Sequence, residues 1–208
     1  MQGALPCELT IPGFARTFSQ HARRRQLAGN GNSQESQVDT RWKTTVWRQF
    51  GASIDMLENA IRACPDTVWG DRTQRPEFWY VVFHTLFYLD LYLSESEVGF
   101  HPPAPFTLDE MDERGLLPDR VYTKEELQTY LKHGREKCRT TVAAMTEERT
   151  YHRCGFSWLE LSVAEVLLYN MRHVQHHAGQ LHLILRQKTD DAPRWVRKTP
   201  TDLANPTE

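Results

Sequence analysis

Residues 157–187 read SWLELSVAEVLLYNMRHVQHHAGQLHLILRQ, and this stretch decides the fold class. When successive residues advance by about 100° around a helix axis, its aliphatic side chains gather on one side. The members of that stripe are Val163, Leu167, Val174, Ala178, Leu181 and Leu185. The opposite side carries Arg172, Gln175 and Arg186. The stretch is therefore predicted to form an amphipathic helix that buries one face.

Two helices in the first half of the chain are marked by their boundary signals. Asp39 is the predicted N-cap of the first helix, which spans about residues 41–63 and stops before Pro65. Pro76 suits the first position of the second helix, because proline lacks the N–H group that would stay unpaired there. The second helix is predicted to reach about Glu95.

Two capping boxes open the remaining helices. In Thr123-Lys-Glu-Glu126 the hydroxyl and the carboxylate satisfy each other's free backbone N–H groups, and the third helix is predicted to end near Met145. Ser157-Trp-Leu-Glu160 is predicted to open the fourth helix in the same way. No segment alternates like a strand for more than a few residues, so the predicted fold is all-α.

A long connection separates the second and third helices. It covers about 25 residues, 98–122, whereas antiparallel neighbours need only about 2 to 8. Its prolines are Pro102, Pro103, Pro105 and Pro118. We predict a long crossover that allows the second and third helices to lie parallel and leaves a loop free to cover one end of a bundle.

The length of 208 residues suits one domain with unfolded ends. We predict a disordered extension over 1–38, a helical domain over 39–198 and a disordered tail over 199–208. The net charge of -2 argues against nucleic acid as a partner. Four scattered cysteines and the lack of an apolar run after the arginines at 23–25 predict a cytoplasmic protein with reduced thiols. The most apolar stretch, 78–93, is shorter than the ~20 residues that cross a bilayer, so no membrane partner is expected.

Three histidines are predicted to face the core. His173 and His177 lie one turn apart on the flank of the apolar stripe, which suits two imidazoles that converge on one metal ion. His176 is rotated by about 100° from His177 and points away from them. His84 lies in the second helix, within a run that is apolar on every face, where a basic group needs a partner. A divalent metal ion is one such partner.

Other interpretations of the histidines remain open or fail on spacing. All three can instead be core residues bonded to buried carbonyl groups or to Asp90 and Glu165. A zincin protease needs glutamate where Val174 stands, and a di-iron bundle needs glutamate three residues before His84 and His173. Three neutral imidazoles leave one coordination position open, as in catalytic zinc sites, although nickel, cobalt, copper or iron suits nitrogen ligands equally.

The sequence resembles the DinB/YfiT-like metalloenzyme family. The resemblance rests on His84 in a long aromatic helix, on His173-x-x-x-His177-Ala-Gly-Gln-Leu, and on the closing Leu185-Arg-Gln followed by Ala192-Pro-Arg-Trp-Val. It covers about residues 42–196. It implies an up-up-down-down four-helix bundle, often dimeric, with zinc, nickel or another divalent ion such as manganese on one histidine of the second helix and two of the fourth.

The resemblance also sets the functional expectations. Relatives include transferases and isomerases that use low-molecular-weight thiols, so we expect a metal-dependent transferase or hydrolase that acts on a small molecule. A non-catalytic, stress-associated metal-binding bundle is the alternative. Asn170, Gln180 and Tyr88 lie near the ligand face and are candidates to orient a bound water or substrate. The all-round apolar second helix and the resemblance together predict a homodimer. No nucleophile or general base can be named.

Overall fold

The computed structural model describes residues 32–73, 75–112 and 118–204, with side chains from residue 40 onward. Its helices are α1 (Asn32–Ala63), α2 (Asp66–Trp69), α3 (Phe78–Tyr92), α4 (Lys124–Ala144), α5 (Glu147–Tyr151) and α6 (Val163–Thr189). A short 3-10 helix, Asp109–Met111, lies in the connection between α3 and α4. The described residues form no β-strand, and the all-α prediction is confirmed. No helix among them is long and apolar enough to cross a membrane.

The four long helices α1, α3, α4 and α6 share one core. Both α1 and α3 pack against α4 and also against α6. The largest fully buried side chains come from α1, α3 and α4 and from the segment before α6; they include Trp47, Phe50, Phe83, Phe87, Tyr130 and Phe156. Twelve residues of α3 are buried within the single chain. Its apolar surface therefore needs no second chain to cover it, and the predicted homodimer now rests on the family resemblance alone.

The crossover places α3 and α4 parallel to each other. At one end, the ring of Trp79 lies 6.0 Å from that of Tyr122, just before α4 begins. At the other end, the carboxylate of Asp90 accepts a hydrogen bond from the ammonium group of Lys137. Contacts therefore advance in the same direction along both helices, as the length of the connection predicts.

Contacts between α1 and α4 run in opposite order. The ammonium group of Lys124, at the start of α4, donates to the carbonyl of Cys64 at 2.6 Å. Further along α4, Arg135 pairs with Asp55 at 2.6 Å, earlier in α1. These two helices are antiparallel, and α1 is therefore antiparallel to α3 as well.

The order of contacts between α3 and α6 is also reversed. Tyr92 contacts Tyr169 with ring centroids 5.3 Å apart, whereas His84 contacts His177 at 4.9 Å. The helices α1, α3, α4 and α6 thus run up, down, down and up. The up-up-down-down order expected from the resemblance is wrong for this chain, because it requires α3 and α4 to be antiparallel.

The helix boundaries confirm one capping box and correct another. Thr123 and Glu126 form the predicted box at the start of α4. The fourth long helix begins five residues later than predicted, with Ser162 as its N-cap and Glu165 as the reciprocal partner. The backbone N–H of Ser157 instead donates to Glu97 at 3.2 Å, so the predicted box at this serine does not form.

The structure describes only part of each end of the chain that is predicted to be disordered. Residues 1–31 lie outside the described part of the chain, and α1 begins at Asn32, ahead of the predicted N-cap Asp39. After α6 the chain returns over α1, where the backbone N–H of Thr199 donates to the carbonyl of Arg48 at 3.0 Å. The indole N–H of Trp47 donates to the carbonyl of Thr201 at 2.9 Å, and Thr199 is 3% exposed. These contacts join residues 199 and 201 to α1, and the disordered tail over 199–208 stays a prediction.

Candidate metal centre

The site lies where α3 crosses the middle of α6. Buried aromatic and aliphatic side chains fix α3 in the core, and His84 projects from it toward α6. The side-chain amide of Asn170 is fully buried and donates to the carbonyl of Leu89 at 3.0 Å. This bond fixes the register of the two helices close to the histidines. His173 and His177 then face His84 from successive turns of α6.

The imidazole rings of the three histidines converge on one small region. Their candidate ligand nitrogens all lie within 4.8 Å of one another. The Nε2 atoms of His84 and His173 are 3.4 Å apart. Two nitrogens that bind one tetrahedral zinc ion at about 2.0 to 2.1 Å lie about 3.3 to 3.4 Å from each other. The spacing of His84 and His173 therefore fits a shared metal ion, and His177 lies close enough to join them.

Hydrogen bonds on the far side of two rings determine which nitrogen faces the centre. Glu110 Oε2 lies 2.7 Å from His84 Nδ1, and Gln180 Oε1 lies 2.7 Å from His177 Nδ1. Because these oxygens accept hydrogen bonds, each Nδ1 carries the proton in the neutral ring. The Nε2 atoms of His84 and His177 are then left with lone pairs, the form that binds a metal.

Electrostatics keep the α6 histidines neutral. Burial, followed by the neighbouring His177 and His84, lowers the pKa of His173 from 6.5 to about 2. Burial and His84 lower the pKa of His177 to about 4. Neutral imidazoles keep the lone pairs that a metal ion needs, and a bound ion would compete with no proton at His173 or His177 near neutral pH.

The two carboxylates named as partners in the core-residue interpretation of the histidines are bonded elsewhere. Asp90 accepts hydrogen bonds from Tyr130 and Lys137, and Glu165 caps α6, so neither carboxylate reaches the three histidines. Among the described residues, the buried Nδ1 of His173 has no hydrogen-bond partner. A core histidine with both ring nitrogens bonded would have one, so within the described part of the chain the ring of His173 is hydrogen-bonded through Nε2 alone.

A sequence model of the DinB superfamily matches residues 49–181. The chain belongs to the DinB superfamily. The matched segment contains all three histidines and the crossover between α3 and α4. No curated protein and no solved structure matches the chain.

Two of the residues predicted to surround the site in this DinB-superfamily chain contact its histidines. Gln180 bonds His177, and its side-chain nitrogen lies 3.1 Å from Nε2 of His176. His176 is exposed and is not a member of the three-histidine group. The ring of Tyr88 lies 4.8 Å from that of His84, with the hydroxyl bonded to the carbonyl of Glu110 at 3.2 Å. The third predicted residue, Asn170, bonds the α3 backbone.

Glu110 is the site residue that the sequence did not reveal. It belongs to the 3-10 helix Asp109–Met111 in the crossover, 26 residues from His84 along the chain. Its side chain is 3% exposed. No periodic pattern marks an acidic residue in a proline-rich connection as buried, and only the docking of the crossover over α3 brings Glu110 to His84.

Proposed function

We propose that this chain is a divalent-metal-dependent enzyme, in which His84, His173 and His177 hold the ion and a low-molecular-weight thiol reacts with a small electrophilic substrate. The convergence of three imidazoles, with two Nε2 atoms 3.4 Å apart, carries the proposal. Three nitrogen ligands leave room for a fourth group, which distinguishes a catalytic site from a closed structural one. The reaction class is transfer to the thiol or thiol-assisted isomerisation.

Zinc or nickel is the ion that we propose, while iron, cobalt, manganese and copper remain compatible with the donor set. When bound, such an ion would acidify a thiol or a water at the remaining position. The protein supplies the neutral, oriented ligands for it. Burial keeps His173 and His177 unprotonated at neutral pH, and Glu110 and Gln180 hold the other two rings by their Nδ1 atoms.

The cysteines of the described chain do not provide the reactive thiol. Cys64, Cys138 and Cys154 are all buried. Burial raises the pKa of Cys64 to about 12 and also raises that of Cys138, so both stay protonated at neutral pH. A thiol must be a thiolate to act as a nucleophile. These observations favour a thiol that enters from solution.

Hydrolysis is less well supported by the arrangement of acidic groups. A general base must reach the water that it activates. Glu110 lies against Nδ1 of His84, on the opposite side of the ring from the Nε2 atom that faces His173. It is placed to orient the imidazole rather than to take a proton from a molecule at the centre.

Aromatic rings form one wall of the centre. Tyr88 lies against both His84 and His173, and the ring of Tyr92 is 6.3 Å from that of His173. Burial, followed by Glu110, raises the pKa of Tyr88 to about 12, which leaves it a hydrogen-bond donor at neutral pH. These rings exclude water from one side of the histidines and offer apolar contact to a substrate.

Cobalt substitution of an untagged preparation tests the proposal. Addition of a low-molecular-weight thiol should produce a sulfur-to-metal charge-transfer band and should support conjugation or isomerisation of an electrophile only when metal is present. Glutathione, cysteine, bacillithiol and mycothiol are the thiols to be titrated. Binding of cobalt without a charge-transfer band for any of them would refute the thiol step and favour the hydrolytic or non-catalytic alternative. Failure to bind any divalent ion would refute the metal-dependent function itself.

A further inference from the structure

Glu110 is a buried carboxylate that forms a hydrogen bond with a predicted metal ligand. Its Oε2 atom lies 2.7 Å from His84 Nδ1, and its other oxygen, Oε1, is buried without a hydrogen-bond partner. Within the described chain, no lysine or arginine forms an ion pair with it. A buried carboxylate without a lysine or arginine partner is costly unless other positive charge lies nearby.

We propose that Glu110 is a positioning residue that couples the docking of the crossover to the affinity of the centre for its metal. The inference rests on the metal-binding function proposed above, and it assigns to Glu110 the control of metal affinity at that site. Glu110 accepts a hydrogen bond from the Nδ1–H group of His84 and fixes the ring so that Nε2 faces His173. It also places negative charge behind a set of nitrogen ligands.

The electrostatic consequence differs between the metal-free and metal-bound states. Without an ion, the carboxylate is desolvated and faces the imidazole of His84 and the rings of Tyr80 and Tyr88; burial, followed by the carboxylate charge, raises the pKa of both tyrosines. With a divalent ion on the far side of His84, the same negative charge becomes favourable. Glu110 therefore costs stability in the metal-free protein and contributes affinity in the metal-bound one.

The position of Glu110 in the chain links this charge to the crossover. The 3-10 helix Asp109–Met111 carries it, and the backbone N–H of Met111 donates to the carbonyl of Leu108 at 2.9 Å. The hydroxyl of Tyr88 donates to the carbonyl of Glu110 itself at 3.2 Å. Because coupling between two equilibria is reciprocal, a metal ion that strengthens the contact between Glu110 and His84 must also stabilise the docked crossover.

The experiment compares metal affinity and metal-free stability in a set of matched variants. Glu110→Gln keeps an acceptor for His84 without the charge, and Glu110→Ala removes both. Asp109→Asn is the control, since Asp109 lies on the same 3-10 helix and accepts a hydrogen bond from Thr107. Zinc affinity, measured by competition with a chelator, should fall in the order wild type, glutamine variant, alanine variant, with a total loss of about 10- to 100-fold. The control should bind like the wild type.

The melting temperature of the metal-free protein separates a positioning role from a structural one. The metal-free Glu110→Gln protein should melt at the wild-type temperature or above it. Hydrogen exchange adds a second readout: zinc should slow the exchange of amides in residues 106–112 of the wild type, but not of the alanine variant. Equal zinc affinity in all variants, or a loss of affinity accompanied by a lower metal-free melting temperature in the glutamine variant, would overturn the inference. A wild type that binds no zinc or other divalent ion would instead refute the proposed function beneath it.

Discussion

Acid should destabilise the metal-free protein mainly through the two histidines of α6. The pKa of His173 is lowered to about 2 and that of His177 to about 4, against 6.5 for a histidine in the unfolded chain. Below pH 6.5 the unfolded chain therefore takes up protons that the folded chain does not. The free energy of unfolding is therefore highest above pH 6.5, where both states are neutral at these residues. It falls as the pH drops below 6.5, toward 4 for His177 and toward 2 for His173.

The size of the effect follows from the same values. Between about pH 7.5 and about pH 5, each of the two histidines lowers the free energy of unfolding by about 2 kcal/mol, because only the unfolded chain takes up its proton. The two residues together account for about 4 kcal/mol, a large part of the roughly 5 to 15 kcal/mol that stabilises a typical domain. A bound metal ion would oppose the loss, because it requires the same neutral rings.

Urea unfolding of the metal-free protein, followed by circular dichroism at the two pH values, measures this loss. The double variant His173→Gln, His177→Gln should be less sensitive to pH by about 4 kcal/mol. His152→Gln, which changes an exposed histidine, is the control and should retain the wild-type dependence. If the double variant and the wild type lose the same free energy of unfolding between the two pH values, the burial that we assign to the site is wrong.

Two further predictions concern packing and assembly. In Gly51→Ala, the new Cβ would lie 2.6 Å from Cγ2 of Thr199, so we expect a loss of about 1 to 3 kcal/mol in urea unfolding. The matched variant Gly179→Ala, whose Cβ would meet no atom within 4 Å in the middle of α6, should gain about 0.5 to 1 kcal/mol. Light scattering at micromolar concentration should give about twice the chain mass of 24.3 kDa if the chain forms the predicted homodimer, and a particle of 24.3 kDa would contradict it.

Local signals in the sequence predicted most of the helices because each is coded within a few residues. The capping box at Thr123 and the stop before Pro65 both appear at or within two residues of the observed boundaries. The start of α6 was wrong because two Ser-x-x-Glu sequences lie five residues apart, and local pattern does not rank them. Tertiary contacts decide: the backbone N–H of Cys154 pairs with the carbonyl of Leu161, which holds that segment outside the helix.

The relative direction of the helices could be predicted from the length of the connections and not from the helix sequences themselves. The length of the crossover predicted parallel α3 and α4, and the structure agrees. The order taken from the family resemblance conflicted with that length and is wrong. Connection length constrains direction because a short loop cannot return a chain to the same end of a bundle.

Some residues of the candidate site could be predicted from local sequence patterns, whereas others depend on long-range contacts. His173 and His177 could be predicted from their spacing on one helix, and His84 from its apolar surroundings. Glu110 could not, because the docking of an irregular loop depends on contacts with Tyr88 and His84 that no short pattern encodes. The role expected of Asn170 was also incomplete, since its amide serves to join α6 to the backbone of α3.

The metal content of single-histidine variants tests the central claim most directly. Untagged wild type and the His84→Ala, His173→Ala, His177→Ala and His176→Ala variants would be loaded with zinc, dialysed and analysed by inductively coupled plasma mass spectrometry. We predict about one ion per chain in the wild type and in the His176→Ala variant, and loss of most of the metal from each of the other three. Equal metal content in all four variants would contradict the assignment of the site to His84, His173 and His177.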